Sequence, residues 1–187
     1  MIRRAKDGRR AGKGASFWAG VGGRAGQDLG ARSVLAVHLY LVQHGEAMTE
    51  ADDPDRPLTN QGVADVTQVA GYAVERLSVR VARLVHSGKT RARQTAEIWD
   101  GFLHVGVAQA DGLAPNDDPA TWLERVAAGT SDVMLVGHLP HLARVTSSLL
   151  VGAQDRSVVR FRPGGLMGLE RTETGWELML LLPAAGA

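Results

Sequence analysis

Residues 37–46 have the sequence VHLYLVQHGE, in which an apolar run ends at a polar turn that contains a glycine. Two further short apolar runs, at residues 82–86 and 132–137, end in the same way. The segments between these runs place apolar residues three and four positions apart, which is the period of an amphipathic helix. Strands that alternate with helices predict the α/β fold class, here a three-layer α/β/α sandwich with a mostly parallel central sheet.

Four helices are expected. Thr59 can cap the first helix, and the others are predicted at residues 90–102, 119–128 and 140–150, the last two with a proline in the first turn. The apolar face of the first helix comprises Val63, Val66, Val69, Ala70, Ala73 and Leu77.

The end of the chain has a different pattern. Turns at residues 163–164 and 174–175 separate three strands, which are expected at residues 158–162, 166–170 and 176–182. The longest apolar run, residues 178–182, is predicted to be a buried strand.

The composition limits the classes of protein that need be considered. Hydrophobic residues make up 44% and charged residues 22% of the 187 residues, as in a globular domain with one core. No apolar run has the length that a bilayer span needs. The chain has no cysteine, which excludes disulfides, thiolate metal ligands and a cysteine nucleophile. We expect a protein of the reducing cytoplasm with no membrane partner.

Residues 1–33 differ from the rest of the chain. They hold eight Lys and Arg against two Asp, together with eight Gly. Such a segment buries too little apolar surface to offset the entropy of ordering, so we expect a disordered, basic, Gly-rich extension before a domain at residues 34–187. A solvated extension is the simpler interpretation, and an arm that binds an anionic polymer is the alternative. Nucleic acid is not the expected partner.

Polar side chains follow each of the three predicted strands. They are QHGE at residues 43–46, HSGKTR at residues 86–91 and GHLPH at residues 137–141. Because the carboxyl ends of parallel strands lie at one edge of a sheet, two imidazoles and a guanidinium are expected in one crevice. Helices that begin at Thr90 and Pro140 would direct backbone N–H groups and positive dipole ends there. The crevice is therefore predicted to bind an anion such as phosphate.

Four motifs carry a family resemblance. LVQHGEA at residues 41–47, RPLT at residues 56–59 with Gly62, SGKTRARQT at residues 87–95 and GHLP at residues 137–140 resemble the histidine phosphatase superfamily. Within it, the short SixA-like phosphohistidine phosphatases are the most similar. The resemblance covers about residues 37–182 and implies a metal-independent phosphatase that needs no cofactor.

The resemblance also implies roles for individual residues. His44 would be the nucleophile, forming a phosphohistidine enzyme that water then hydrolyses. Arg91 would bind two phosphoryl oxygens and His138 a third. Positive charge from Arg91 and from the helix ends is expected to keep His44 unprotonated. The backbone N–H of Leu139 would add a further donor.

The motifs depart from the superfamily pattern at Gln43, where most members have an arginine before the nucleophile. A neutral amide still donates hydrogen bonds, and we hypothesise a slower or more selective enzyme. Arg56 lies in a loop that can reach the substrate, and Arg56, Arg93 or Arg162 could supply the missing charge.

A second departure is the lack of an obvious carboxylic acid to protonate an alcohol leaving group. Glu46, Asp53 or Asp117 could serve as the acid or base. Imidazole leaves more readily than an alkoxide, so this departure favours cleavage of an N–P bond. His141 is interpreted as a partly exposed helix residue and His86 as part of the pocket wall, with no metal site expected at either.

These observations predict a phosphatase that hydrolyses phosphohistidine in a protein of a phosphorelay or phosphocarrier system. A phosphatase for small phosphomonoesters is one alternative. A catalytically weak module that binds phosphate or a phosphoprotein, because Gln43 replaces the usual arginine, is another. The expected partner is a phosphohistidine-bearing protein or a small phosphorylated substrate, and the expected oligomeric state is a monomer.

Overall fold

The computed structural model describes residues 36–184, so the predictions for residues 1–33 lie outside the described residues. Along the described chain, four strands alternate with four helices, and two further strands follow the last helix. The strands are β1 (Val37–Gln43), β2 (Arg83–His86), β3 (Val107–Gln109), β4 (Val133–Gly137), β5 (Leu166–Arg171) and β6 (Trp176–Leu182). The helices are α1 (Asn60–Glu75), α2 (Thr90–Leu103), α3 (Ala120–Ala128) and α4 (His141–Val151).

The strands form one sheet in the order β3-β2-β4-β1-β5-β6. Strands β3, β2, β4 and β1 are parallel, and β5 is antiparallel to both of its neighbours. The prediction of a mostly parallel central sheet is confirmed. As a result, the carboxyl ends of β1, β2 and β4 lie side by side at the middle of the sheet.

Helices cover both faces of this sheet, which confirms the three layers. On β1, Tyr40 and Val42 pack with residues of α1 and α2, whereas Leu39 and Leu41 pack with residues of α3 and α4. Because both faces of β1 are buried, its sequence is a continuous apolar run rather than an alternating one. None of the helices within residues 36–184 has the length and apolar character needed to cross a membrane.

The first helix is capped as predicted, with the Thr59 hydroxyl accepting a hydrogen bond from the N–H of Gly62 at 2.9 Å. Four residues of the predicted apolar face are buried, namely Val66, Val69, Ala70 and Ala73. Val63 and Leu77 are instead 42% and 40% exposed, so their assignment to that face is wrong. The helix ends at Glu75, before Leu77, and Ser78 then turns the chain with a φ of 57°.

Two expectations for the sheet are also wrong, and one strand was not predicted. Strand β3 was not expected, because it has only three residues and lies at an edge of the sheet. Residues 158–162 form no strand, although Phe161 packs into the core on the α3–α4 side. The apolar run at residues 178–182 is in β6, the other edge strand, where Leu178, Met179 and Leu181 are 46%, 43% and 50% exposed. An edge strand has a neighbour on one side only, so the run is not buried.

A glycine allows α1 to approach the turn after β1. A Cβ at Gly62 would lie 2.1 Å from the carbonyl oxygen of Glu46, and that oxygen also accepts a hydrogen bond from the N–H of Thr59 at 3.0 Å. The start of α1 and the polar turn are therefore held together backbone against backbone.

We expect Gly62→Ala to lower the free energy of unfolding by about 1–3 kcal/mol, because the new methyl group displaces backbone rather than a flexible side chain. Gly101→Ala is the matched control, since a Cβ at Gly101 in α2 has no neighbour within 4 Å. It should be neutral or stabilise by about 0.5 kcal/mol. Urea unfolding of both variants measures the difference, and equal midpoints would contradict the close approach.

Candidate active site

The pairing of β1 with β4 brings two predicted site residues together. Gln43 pairs with Gly137, and the N–H of His44 donates to the carbonyl of Gly137 at 3.1 Å. The side chains of His44 and His138 therefore leave adjacent strands at the same level. Their ring centroids are 4.9 Å apart, with 55° between the ring planes.

Two hydrogen bonds fix the protonation pattern of the His44 ring. Its Nδ1 lies 2.7 Å from the carbonyl oxygen of Gly45, which can only accept, so Nδ1 carries the proton. Its Nε2 accepts a hydrogen bond from Nε of Arg91 at 3.1 Å. The neutral ring thus presents the Nε2 lone pair towards a guanidinium.

The surroundings of His44 favour this neutral form. Burial, together with the positive charges of Arg91 and Arg56, lowers the pKa of His44 from 6.5 to about 4, while the bond to Gly45 opposes the shift. The expected direction is confirmed. Burial, rather than the neighbouring charges, is the larger cause.

Arg91 lies in the first turn of α2, as the motif predicted. Lys89 precedes α2 and Pro140 precedes α4, and neither caps its helix with a side chain. Burial and the charge of Arg56 lower the pKa of Arg91. Positive charge therefore accumulates at one place, which an anion would stabilise.

Of the three arginines considered as a source of additional charge, the structure places Arg56 near the site. Its Nε donates to the carbonyl of Met48 at 3.1 Å, and its charge acts on both His44 and Arg91. Arg93 pairs instead with Glu97 on the exposed side of α2, at 3.0 Å. Within residues 36–184, the side chain of Arg162 forms no hydrogen bond or ion pair with His44, Arg91 or Arg56.

Gln43 stands immediately before His44 at the end of β1. Its side-chain oxygen Oε1 is buried and, among the described residues, has no hydrogen-bond partner. Buried polar atoms are usually paired, so this amide is expected to take part in an interaction with a ligand or with water. Because Oε1 only accepts, its partner must be a donor such as water or a ligand N–H or O–H group, and only the amide nitrogen of Gln43 could donate to a bound oxyanion.

Comparison with known proteins agrees with this geometry. Residues 39–115 match the model of the histidine phosphatase superfamily, branch 1. Over these residues the chain is similar to the superfamily. No curated protein matches the sequence.

Solved structures of the superfamily show the same fold. A protein from Agrobacterium tumefaciens assigned as the phosphohistidine phosphatase SixA is 27% identical, with a TM-score of 0.65 over 78% of this chain and 97% of that one. Another, from Nakamurella multipartitia, is also 27% identical, with a TM-score of 0.64 over 80% of this chain and 97% of that one. A SixA complexed with tungstate is 21% identical, with a TM-score of 0.68 over 79% and 97% of the two chains.

In this chain, His138 is held by a residue that the sequence did not single out. The hydroxyl of Ser87, directly after β2, lies 2.6 Å from Nε2 of His138, and Nδ1 of His138 has no partner among the described residues. Burial lowers the pKa of His138 to about 3, with smaller contributions from His44, Arg91 and Lys89. The rule that polar residues follow the strands also applies to Ser87 and could have identified it.

A cavity of about 460 Å³ adjoins Ser87. Three aspartates contribute to its wall, namely Asp111, Asp117 and Asp118. A carboxylate oxygen of Asp117 also accepts a hydrogen bond from the N–H of Ala114 at 2.8 Å. The site therefore has a cationic part around His44 and an acidic cavity beside Ser87.

Three other residues were considered from the sequence, namely Glu46, Asp53 and Leu139. Glu46 is exposed, and its carboxylate accepts a hydrogen bond from the Thr59 hydroxyl at 3.2 Å. Asp53 lies in a turn and accepts from the N–H of Asp55 at 2.9 Å. Leu139 begins the turn into α4, with its side chain 40% exposed.

Two further histidines are buried. His86 accepts a hydrogen bond from the N–H of Gly88 at 3.0 Å. His141 is fully buried at the start of α4, so its interpretation as a partly exposed residue is wrong, because this turn of the helix faces the protein interior. Among residues 36–184, no group of three or more His, Asp and Glu is arranged to hold a metal ion.

The low pKa of His44 has a measurable consequence. We expect the ¹⁵N spectrum of its ring to show a single neutral form, protonated at Nδ1, from pH 8 to about pH 5, with a midpoint near pH 4. Since an unfolded histidine protonates near pH 6.5, the unfolded state binds the proton first as the pH falls. The contribution of His44 to the free energy of unfolding is therefore lost between about pH 6.5 and pH 4. A ring midpoint at or above pH 6 would contradict this.

Proposed function

We propose that this chain is a phosphatase that hydrolyses phosphohistidine in a protein of a phosphorelay or phosphocarrier system, through a phosphoryl group carried on His44. The observation that carries the proposal is the neutral His44 ring, whose Nε2 lone pair faces Arg91 while Nδ1–H is bonded to Gly45. A buried, unprotonated imidazole beside a guanidinium is suited to attack an anionic phosphoryl group.

The first step is an in-line displacement at phosphorus. Arg91 moves its hydrogen bond from Nε2 of His44 to phosphoryl oxygens, which frees the lone pair. A bond forms between Nε2 and phosphorus, and the bond from phosphorus to the leaving imidazole breaks. The leaving nitrogen keeps the electron pair and takes a proton from water.

The second step restores the enzyme. Water attacks the phosphorus of the phosphorylated His44, the bond from phosphorus to Nε2 breaks, and inorganic phosphate leaves with the water oxygen. His138, held by Ser87 at 2.6 Å, donates to a phosphoryl oxygen, and Arg56 contributes charge to the same group. Arg91 and Arg56 provide the positive charge, without a metal ion.

The charges around the two histidines support an N–P bond as the target. Besides burial, the charges of Arg91 and Arg56 lower the pKa of His44. The pKa of His138 is lowered by burial and by the neighbouring groups His44, Arg91, Lys89 and His141. Imidazole is a good leaving group and needs little help from an acid. A site with this arrangement is better suited to phosphohistidine than to an alkyl phosphate.

The substrate beyond the phosphoryl group is expected to occupy the acidic cavity beside Ser87. Its aspartates complement positively charged side chains near the phosphohistidine of a partner protein. The solved structures support both substrate classes. SixA proteins share the fold, and so does a protein from Escherichia coli K-12 assigned as an alpha-ribazole-5'-P phosphatase, which is 14% identical with a TM-score of 0.66 over 78% and 96% of the two chains.

The cavity volume of about 460 Å³ is within the range of small-molecule sites, so a small phosphomonoester is the second candidate substrate. The two candidates differ in the bond that is cleaved. Comparing hydrolysis of a phosphohistidine protein with that of an aryl phosphate distinguishes them.

We expect the protein to release inorganic phosphate from a phosphohistidine-bearing protein in the presence of EDTA, and His44→Ala to lower this release by at least about a thousandfold. His104→Asn is the matched control, because His104 is exposed at the end of α2 and asparagine tolerates its positive φ of 55°. During turnover of a ³²P-labelled substrate, protein quenched in alkaline detergent should carry ³²P that His44→Ala lacks, because the N–P bond survives base but not acid. Binding of phosphate without any release would identify the weak binding module instead.

We expect Gln43→Arg to raise kcat/KM by about tenfold to a hundredfold, because a charge-assisted hydrogen bond to phosphate is about twice as strong as a neutral one. Inorganic phosphate should also inhibit the variant at lower concentration. Steady-state kinetics and competitive inhibition measure both quantities. Unchanged values would mean that Arg56 already supplies the charge that an arginine at position 43 would bring.

A further inference from the structure

Thr95 lies in α2, one turn after Arg91, and its side chain is completely buried. Its hydroxyl oxygen accepts a hydrogen bond from the backbone N–H of Gly45 at 3.0 Å. The same hydroxyl donates to the carbonyl of Arg91 at 2.7 Å. Thr95 therefore connects the residue after the nucleophile to the helical turn that carries the guanidinium.

Together with the two bonds of His44, these bonds form a closed ring. Arg91 donates through Nε to His44, His44 donates through Nδ1 to the Gly45 carbonyl, Gly45 donates through its N–H to Thr95, and Thr95 donates to the Arg91 carbonyl. Each residue donates once and accepts once. With this one direction of donation, the ring admits only one tautomer of His44, with the proton on Nδ1.

The hydrogen bond from the N–H of Gly45 distinguishes Thr95 from a threonine that only bonds within its own helix. Threonines inside helices often donate to the carbonyl four residues earlier, as Thr146 of α4 does to Leu142 at 2.9 Å. Thr95 also accepts from a loop fifty positions away in the sequence. Only a hydroxyl can accept and donate at this place, since valine and alanine can do neither.

We propose that Thr95 is a positioning residue, which holds Gly45 so that His44 keeps one tautomer and one orientation against Arg91. This inference rests on the proposed function of His44 as the nucleophile. Without the hydroxyl, the buried N–H of Gly45 has no acceptor and the polar turn shifts. Phosphate contacts from Arg91 and His138 persist, whereas the in-line geometry at Nε2 is lost.

The test compares Thr95→Val, Thr95→Ser and Thr146→Val with a phosphohistidine-bearing protein as substrate. We expect Thr95→Val to lower kcat by about tenfold to a hundredfold with KM changed by less than about threefold, because misplacement of the attacking atom affects the chemical step. Thr95→Ser keeps the hydroxyl and should retain kcat within about threefold. Thr146→Val removes a helix-internal hydroxyl of equal burial and should keep the wild-type kcat.

A second readout does not depend on turnover. The ¹⁵N spectrum of the His44 ring at pH 6 should show only the Nδ1-protonated tautomer in the wild type and in Thr95→Ser, and a mixture of tautomers in Thr95→Val. If the wild type hydrolyses nothing, the proposed function fails while this spectrum still judges the role of Thr95. Should Thr95→Val fail to fold, Thr95→Ala removes the hydroxyl with a smaller side chain.

Three results would overturn the proposal. One is a wild-type kcat together with a single tautomer in Thr95→Val. Another is a loss in Thr95→Ser as large as that in Thr95→Val, and the third is an equal loss in Thr146→Val. Any of these results would mean that the Thr95 hydroxyl only stabilises its own helix, as that of Thr146 does in α4.

Discussion

The hydrogen bond from the N–H of His44 to the carbonyl of Gly137 is the contact on which the site depends. It continues the β1–β4 pairing one residue past the end of β1, so that His44 and His138 emerge from neighbouring strands at the same height. Both strands are in the middle of the sheet and are covered by helices on both faces. The rigidity of two buried, paired strands thus sets the separation of the two imidazoles.

Around this pair, the protein concentrates positive charge without balancing it. Arg91, Arg56 and Lys89 all act on the histidines, and within residues 36–184 no carboxylate forms an ion pair with Arg91. Burial keeps both imidazoles neutral, because a charged ring would lose its hydration. The guanidinium and the helix ends thus favour an anion, while Nε2 of the neutral His44 ring keeps the lone pair that the proposed function requires. The same burial therefore serves binding and reactivity.

The acidic cavity beside Ser87 gives the site a second, opposite character. In the proposed function, a phosphoryl group occupies the cationic part and a positively charged neighbouring group lies against the aspartates. This arrangement would distinguish a basic phosphoprotein from a free anion. Gln43 also affects the charge of the site. It is a neutral amide where most members of the superfamily have an arginine, and its side-chain oxygen is buried and has no hydrogen-bond partner among the described residues. The shortage of charge there increases the dependence of the site on Arg91 and Arg56.

Local patterns in the sequence determined the central strands, the four helices and the turns after β1, β2 and β4, because burial on both faces and helical periodicity leave strong signals in a single chain. They also determined His44, Arg91 and His138 as neighbours, since the carboxyl ends of parallel strands converge. Only the tertiary structure decided which side chains are covered. In that structure, β6 is exposed at an edge of the sheet and His141 is buried at the start of α4. Thr95 is hydrogen-bonded to Gly45, and Ser87 to His138. Contacts between such distant segments depend on the exact packing of helices on the sheet and have no local signature in the sequence.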